Sequence, residues 1–165
     1  MNILVRLAEP RDFKDIQRLN AELFKYEDAL NLYDHSRNLD WPYSEAAIKY
    51  FRDAVGGKNN TQGFVAVVAD RIIGYLIASV YSKPWMSTNP IAEIDNMFIE
   101  SSSRRHHAGA GLITAFKKWA KAQGAKRLKV GALTGNDPAM AFYQSQGFLN
   151  IETVFELSLD IENGS

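Results

Sequence analysis

The sequence predicts a single α/β domain, α+β in the broader sense, in which six short strands carry four amphipathic helices. Three observations lead there. The chain has 165 residues, which suits one hydrophobic core, so the domain is expected to span 1–165. Apolar residues recur with period two in six segments and with period near 3.6 in four longer ones. No linker, internal repeat or low-complexity tract separates them.

The first strand is Ile3, Val5 and Leu7, alternating with polar neighbours, and Pro10 with Asp12 then opens a helix carrying Ile16, Leu19, Leu23 and Phe24 on one face. After an irregular stretch from Ala29 to Tyr43, Ser44 reads as the N-cap of a second helix with Ala47, Ile48, Phe51 and Val55, closed by Gly56-Gly57. Gln62 to Ala69 and Arg71 to Tyr81 are rich in β-branched and aromatic residues and read as a hairpin joined at Asp70-Arg71. A loop follows through Pro84-Trp85 and Asn89-Pro90, and Ile91 to Ile99 is the next strand. Leu112 to Gln123 is the third helix, with Gly124 its C-cap, and Leu128, Val130 and Ala132 form the fifth strand. Pro138 to Gln146 is the last helix, and Ile151 to Leu159 reads as a closing strand.

The Ile91–Ile99 strand breaks its own alternation. Ile94 is apolar at an even position, whereas Met97 and Ile99 are apolar at odd ones, so the inward face slips by one residue around Asp95-Asn96. A β-bulge produces such a slip, and so does a strand covered on both faces; the bulge is the preferred reading. A bulge would free backbone N–H and C=O groups for an amide-bearing ligand.

Charge is informative in its distribution. Nineteen basic residues balance nineteen acids, yet residues 101–131 hold eight of the bases and no acid, leaving eleven bases against nineteen acids elsewhere. Within that basic segment, Ser101 to Ile113 places small residues, two arginines and two histidines between a strand and a helix, where unpaired N–H groups and the helix dipole favour a pyrophosphate. A Walker A motif is excluded because Gly-Lys-Ser/Thr is missing. The dinucleotide fingerprint fails too, since Gly109-x-Gly111 is followed by Thr114.

Together, Glu93-Ile94-Asp95-Asn96-Met97-Phe98-Ile99, the Arg104–Gly109 turn, and Asn136-Asp137-Pro138-Ala139-Met140-Ala141-Phe142-Tyr143 with Gly147-Phe148 resemble the GNAT superfamily of N-acetyltransferases. The resemblance implies a mixed, mostly antiparallel, twisted sheet of about six to seven strands flanked by about four helices. A splayed strand pair in it binds acetyl-CoA. It implies direct transfer of acetyl to a primary amine of a small molecule or peptide, with no covalent enzyme intermediate. Carried over residue by residue, cofactor binding falls on Met97, Phe98, Ile99, Arg104, Arg105, His106, His107, Ala108, Gly109, Ala110, Asn136, Ala139, Phe142 and Tyr143. Arg104, His107 and Gly109 take the three defining positions of the turn, and His107 departs from the usual glycine there. If that position needs φ > 0, a histidine is costly. An alternative register uses His106, Gly109 and Gly111.

Tyr143 matches the family's general acid. Asp95 and Glu93 are candidate bases, and bulk water is the alternative. Lys25-Tyr26-Glu27 and the Pro84-Trp85 loop look like the diamine or spermidine/spermine branch. Trp41-Pro42-Tyr43 and Pro84-Trp85-Met86 are expected as exposed loop aromatics near the acceptor, and the excess acid outside 101–131 suits a cationic amine. Family members often dimerise through strands, so a homodimer is possible.

The exclusions are equally specific. With no cysteine, disulfides, thiolate metal sites and a cysteine nucleophile are ruled out, which fits a reducing cytoplasm. His35, His106 and His107 lack ligand spacing, so no metal is expected. Arg6 and Glu9 cut short the apolar start, and the longest apolar run is far below a membrane span, so neither targeting segment nor membrane partner is expected. A nucleic-acid partner is disfavoured because Phe116 and Trp119 sit at core spacing. The competing function is a catalytically weak acyl-CoA sensor or protein-interaction module.

Overall fold

A computed structural model describes residues 2–30 and 37–159. Its elements are β1 (Leu4–Leu7), α1 (Phe13–Ala29), α2 (Glu45–Val55), β2 (Thr61–Val68), β3 (Arg71–Tyr81), β4 (Ile91–Ile99), α3 (Ala108–Ala122), β5 (Arg127–Val130) and α4 (Asp137–Ser145). The strands form one sheet in the order β1-β2-β3-β4-β5, antiparallel except for the parallel β4–β5 pair.

Local chemistry accounts for the element ends. The Ser44 side chain accepts from the Ala47 N–H at 3.2 Å, capping α2, and Asn136 accepts from the Ala139 N–H at 3.4 Å, capping α4. The β2–β3 hairpin turns on Ala69 and Asp70, both at positive φ (45° and 63°), one residue earlier than the sequence suggests. The 3₁₀ turn Pro10–Asp12 leads into α1, and its buried Asp12 receives both guanidinium nitrogens of Arg6, at 2.6 and 3.0 Å, with the Glu9 N–H at 2.7 Å.

Each face of the sheet carries its own core. On one, Ile16, Leu19, Phe51, Ala54, Val65 and Tyr75 pack under α1 and α2. On the other, Phe64, Leu76, Ile94, Leu112, Ile113 and Phe116 pack under α3. The alternation of β2 and β3 therefore has no polar face, as in a strand covered on both sides.

The expected sixth strand does not form. Residues 151–158 have no regular structure, and five strands, not six or seven, are present among the described residues. The alternation of Ile151 to Leu159 is a local property, whereas a strand is made by pairing, and no backbone hydrogen bond joins these described residues to the sheet. Trp41 is likewise corrected. It is half-buried and stacks on Phe24 with ring centroids 5.5 Å apart, plugging the α1–α2 core, while Tyr43 and Trp85 are exposed. His35 lies outside the described residues. No helix among the described residues is long and apolar enough to cross a membrane, and no group of three or more His, Asp or Glu there could hold a metal ion.

Candidate active site

The site starts from an irregularity in β4. Ile77 faces Asn96 and the next residue, Ala78, faces Ile94, so Asp95 is the extra residue of a β-bulge, where the slipped apolar pattern puts it. β4 pairs with β5 only through Ile91–Ile94. Beyond the bulge β4 stays on β3 and parts from β5, leaving its backbone from 95 to 99 without a ladder partner on that side.

A cleft of about 480 Å³ occupies the gap. Met97, Phe98 and Ile99 form its floor, Arg104, Arg105, Ala108 and Gly109 its entrance, and Asn136, Ala139, Phe142 and Tyr143 its α4 wall. Leu23 and Tyr26 of α1 close it from across the sheet. The Arg104 Nε donates to the Ile99 carbonyl at 3.1 Å, and its guanidinium lies over the rings of Tyr26 and Phe98, 5.0 and 5.4 Å from their centroids. A fixed cation thus stands at the mouth, held by stacking rather than by an acid.

The turn into α3 explains the unusual residue. His107 is the N-cap and is left-handed, at φ 66° and ψ 5°, and no side chain caps the helix. The position does call for positive φ. Histidine adopts that conformation at a cost of about 1–2 kcal/mol. Gly109 has a different reason. A Cβ there would stand 2.9 Å from Phe142 Cζ and 3.4 Å from Met97 Cε, so glycine lets α3 approach α4 and β4 closely.

Tyr143 sits in the cleft with its ring edge-on to Phe142 and Phe148. Burial, and secondarily the charge of Glu27, push its hydroxyl up to about 12, so it remains a proton donor at neutral pH. The acids of β4 lie apart from the cleft wall. Asp95 Oδ2 accepts from Ser79 Oγ at 2.6 Å and from Tyr50 Oη at 2.9 Å, and Tyr50 Oη accepts from Asn96 Nδ2 at 2.9 Å. Burial raises the Asp95 carboxyl above its ordinary value and Glu93 adds to this, against the lowering effect of the two hydroxyls. Glu93 accepts from the Tyr81 hydroxyl, and burial followed by that hydrogen bond pushes Tyr81 to about 12.

A profile of the acetyltransferase (GNAT) family matches residues 24–148, most of the chain. The chain belongs to the GNAT acetyltransferase family. Solved structures agree with the fold of this GNAT domain. A tetramutant of the BH1408 protein from Bacillus halodurans superposes with TM-score 0.80 at 21% identity, over 94% of this chain and 99% of that one. The aminoglycoside acetyltransferase AAC(6')-Iy, in complex with the bisubstrate analogue CoA-S-monomethyl-acetylneamine, gives 0.74 at 16%, over 96% and 98%. AAC(6')-Ih from Acinetobacter baumannii, an aminoglycoside antibiotic 6'-N-acetyltransferase, gives 0.72 at 19%, over 97% and 99%. Among curated proteins none gives a significant sequence match.

Most of the site residues expected from the sequence meet in the cleft of the GNAT domain. His106, His107 and Ala110 do not line it, and Asp95 and Glu93 stand beyond the bulge rather than in its wall. Tyr50 and Ser79 carry no role in the sequence reading. Tyr50 neighbours Phe51 on a core helix and Ser79 is a lone hydroxyl in an apolar strand, so neither carries a motif signal. Only the fold brings them to Asp95.

Proposed function

We propose that this GNAT domain transfers the acetyl group of acetyl-CoA to a primary amine of a small molecule or peptide, without a covalent enzyme intermediate. The single observation that carries the reading is the cleft at the β4–β5 splay, with open strand backbone on one side and a protonated tyrosine on the other. The backbone of Met97 and Ile99 pairs with the pantetheine amides, and Arg104, Arg105 and the uncapped N–H groups of Ala108, Gly109 and Ala110 hold the pyrophosphate. Asn136, Ala139 and Phe142 pack along the pantetheine arm. Acetyl-CoA brings an activated acetyl thioester, and the protein supplies orientation and proton management.

Asp95 takes the proton from the acceptor ammonium, directly or through water, with Glu93 the neighbouring alternative. The neutral nitrogen then forms the C–N bond as the C–S bond breaks. Tyr143 holds its proton against the charge growing on sulfur. The nitrogen sheds a second proton as the C–N bond forms, which balances the proton that Tyr143 gives the thiolate, while the first passes from Asp95 to solvent. The acids on β4 suit a cationic acceptor such as a polyamine or amino sugar, an inference supported by the aminoglycoside acetyltransferases among its structural neighbours. The lack of cysteine supports a cytoplasmic location. No metal, nucleic acid or membrane takes part.

One feature favours a second reading, an acyl-CoA-binding sensor with weak turnover: the left-handed, non-glycine His107 at the turn. Calorimetric titration with acetyl-CoA, followed by thiol release against polyamines, aminoglycosides, amino acids and peptides, tests both. Binding with turnover of one amine class is expected. Binding without turnover of any amine selects the sensor, and no binding removes both.

A further inference from the structure

Just past the end of β4, one carboxylate ties α1 and β3 to the strand. Glu100 Oε1 accepts from Arg18 Nη1 of α1 at 2.8 Å and from Nη2 of Arg71, the first residue of β3, at 2.9 Å. Arg18 Nη2 also donates to the Ile72 carbonyl at 3.2 Å, so its guanidinium bridges β3 and the end of β4. The Glu100 backbone is held as well: its N–H donates to the Ile73 carbonyl and its carbonyl accepts from the Ser103 N–H, both at 2.9 Å. Its side chain is 11% exposed, against 42% for Arg18 and 66% for Arg71, so the acid is the buried member on which both cations converge.

The position of this clamp matters. Glu100 stands between Ile99 on the cleft floor and Ser103, Arg104 and Arg105 at the entrance. The turn it opens contains two non-glycine residues at positive φ, Arg105 at 68° and His107 at 66°. Such residues persist only where their surroundings over-determine the backbone. On the far side the turn is fixed by α3, whose first residue, Ala108, is buried. On the near side it is fixed by Glu100. A turn strained within and pinned at both ends holds its N–H groups in one arrangement.

We propose that Glu100 is a positioning residue for the cofactor: clamped by Arg18 and Arg71, it fixes the path of the 101–107 turn and thereby the affinity for the pyrophosphate, without touching it. The inference rests on the acetyl-CoA reading of the cleft. Charge by itself predicts the opposite effect, since removing an acid from the neighbourhood of an anion site strengthens the attraction for the anion. Loosening the turn weakens it, because the N–H groups must then be ordered when the ligand binds. The two effects differ in sign, so one measurement tells positioning from electrostatics.

Glu100→Gln keeps the shape of the side chain and removes the charge that holds both guanidiniums. Calorimetric titration of this variant with acetyl-CoA is expected to show affinity about tenfold weaker than wild type, the scale of a lost charge-assisted hydrogen bond. S-acetylpantetheine carries the thioester without the pyrophosphate, and its kcat/KM is expected to be unchanged. Arg18→Gln breaks the clamp from the α1 side and is expected to weaken acetyl-CoA while again sparing S-acetylpantetheine. Acetyl-CoA affinity that is unchanged or tighter in Glu100→Gln overturns the proposal. So does an equal loss with both thioesters, which marks a residue of general stability only. Where Glu100→Gln fails to fold, Arg18→Gln decides by the same criteria. A wild-type chain with no affinity for acetyl-CoA overturns the cofactor reading and this inference with it, whereas wild-type affinity with an indifferent variant overturns the inference alone.

Discussion

The Tyr50 hydroxyl donates to Asp95 Oδ2 while accepting from Asn96 Nδ2, both at 2.9 Å, so one side chain of α2 gathers two consecutive residues of β4. Consecutive strand residues normally point to opposite faces. The bulge at Asp95 brings this pair to the same side, and the Ser79 hydroxyl, at 2.6 Å, completes the grip on the carboxylate.

That grip makes the pH dependence of activity specific. A base works ionised, and Asp95 is raised above its ordinary value by burial, so the acid limb of kcat/KM lies above the usual carboxylate value of about 4. Tyr50→Phe removes a hydrogen bond that favours the charged form, so it moves the limb to higher pH. Asp95→Asn lowers kcat/KM by about 10²-fold and abolishes the limb. An unchanged limb in Asp95→Asn transfers the role to Glu93 or water.

Tyr143→Phe keeps the ring contacts with Phe142 and Phe148 and deletes only the hydroxyl. Turnover is expected to fall by about 10²-fold, with acetyl-CoA affinity nearly unchanged. Thiol-release kinetics and calorimetry on the same preparation separate the two effects. Full turnover in the variant would remove Tyr143 from the mechanism.

His107→Gly is expected to stabilise the protein by about 0.5–1 kcal/mol, because glycine meets the φ of 66° without a Cβ clash. Urea unfolding reads this as a higher midpoint at constant slope. A lower midpoint would mean that histidine makes compensating contacts at the turn.

The Arg6–Asp12 pair ties β1 to the start of α1, and Asp12 is buried. Burial works to raise the Asp12 carboxyl, but hydrogen bonds from Arg6 and the Glu9 N–H outweigh it and hold the group below its ordinary value. With a depressed folded value, the contribution to stability is present above the unfolded value of about 4 and is lost as pH falls through the folded one. Asp12→Ala should cost on the order of 3 kcal/mol at neutral pH. In urea titrations the difference from wild type should shrink as the buffer is acidified below pH ~4; a constant difference would remove the ion pair as its cause.

Much of the fold was legible in local pattern. The bounds of β4 were read residue for residue, and the slip at Asp95-Asn96 announced the bulge because side-chain period is a local property. Ser44 was legible as a cap for the same reason. The third helix was read as starting at Leu112, yet α3 begins at Ala108, since Ala108 to Gly111 carry little apolar signal and are helical through packing against β1, β4 and α4. Trp41 was misplaced because a loop residue shows no periodicity to say which way it faces.

The sequence by itself determined the element order from β1 to α4, the bulge, the glycine-poor turn before α3 and the placement of Asn136 and Tyr143 on one short helix, all of which depend on near neighbours in the chain. Tertiary structure alone decided that Tyr50 and Ser79 converge on Asp95, that Arg104 lies over the ring of Tyr26, and that Ile151 to Leu159 stays off the sheet. Those outcomes depend on which surfaces meet across 16 to 78 residues of chain, and the free energy of a contact belongs to both partners, so neither partner's local sequence encodes it.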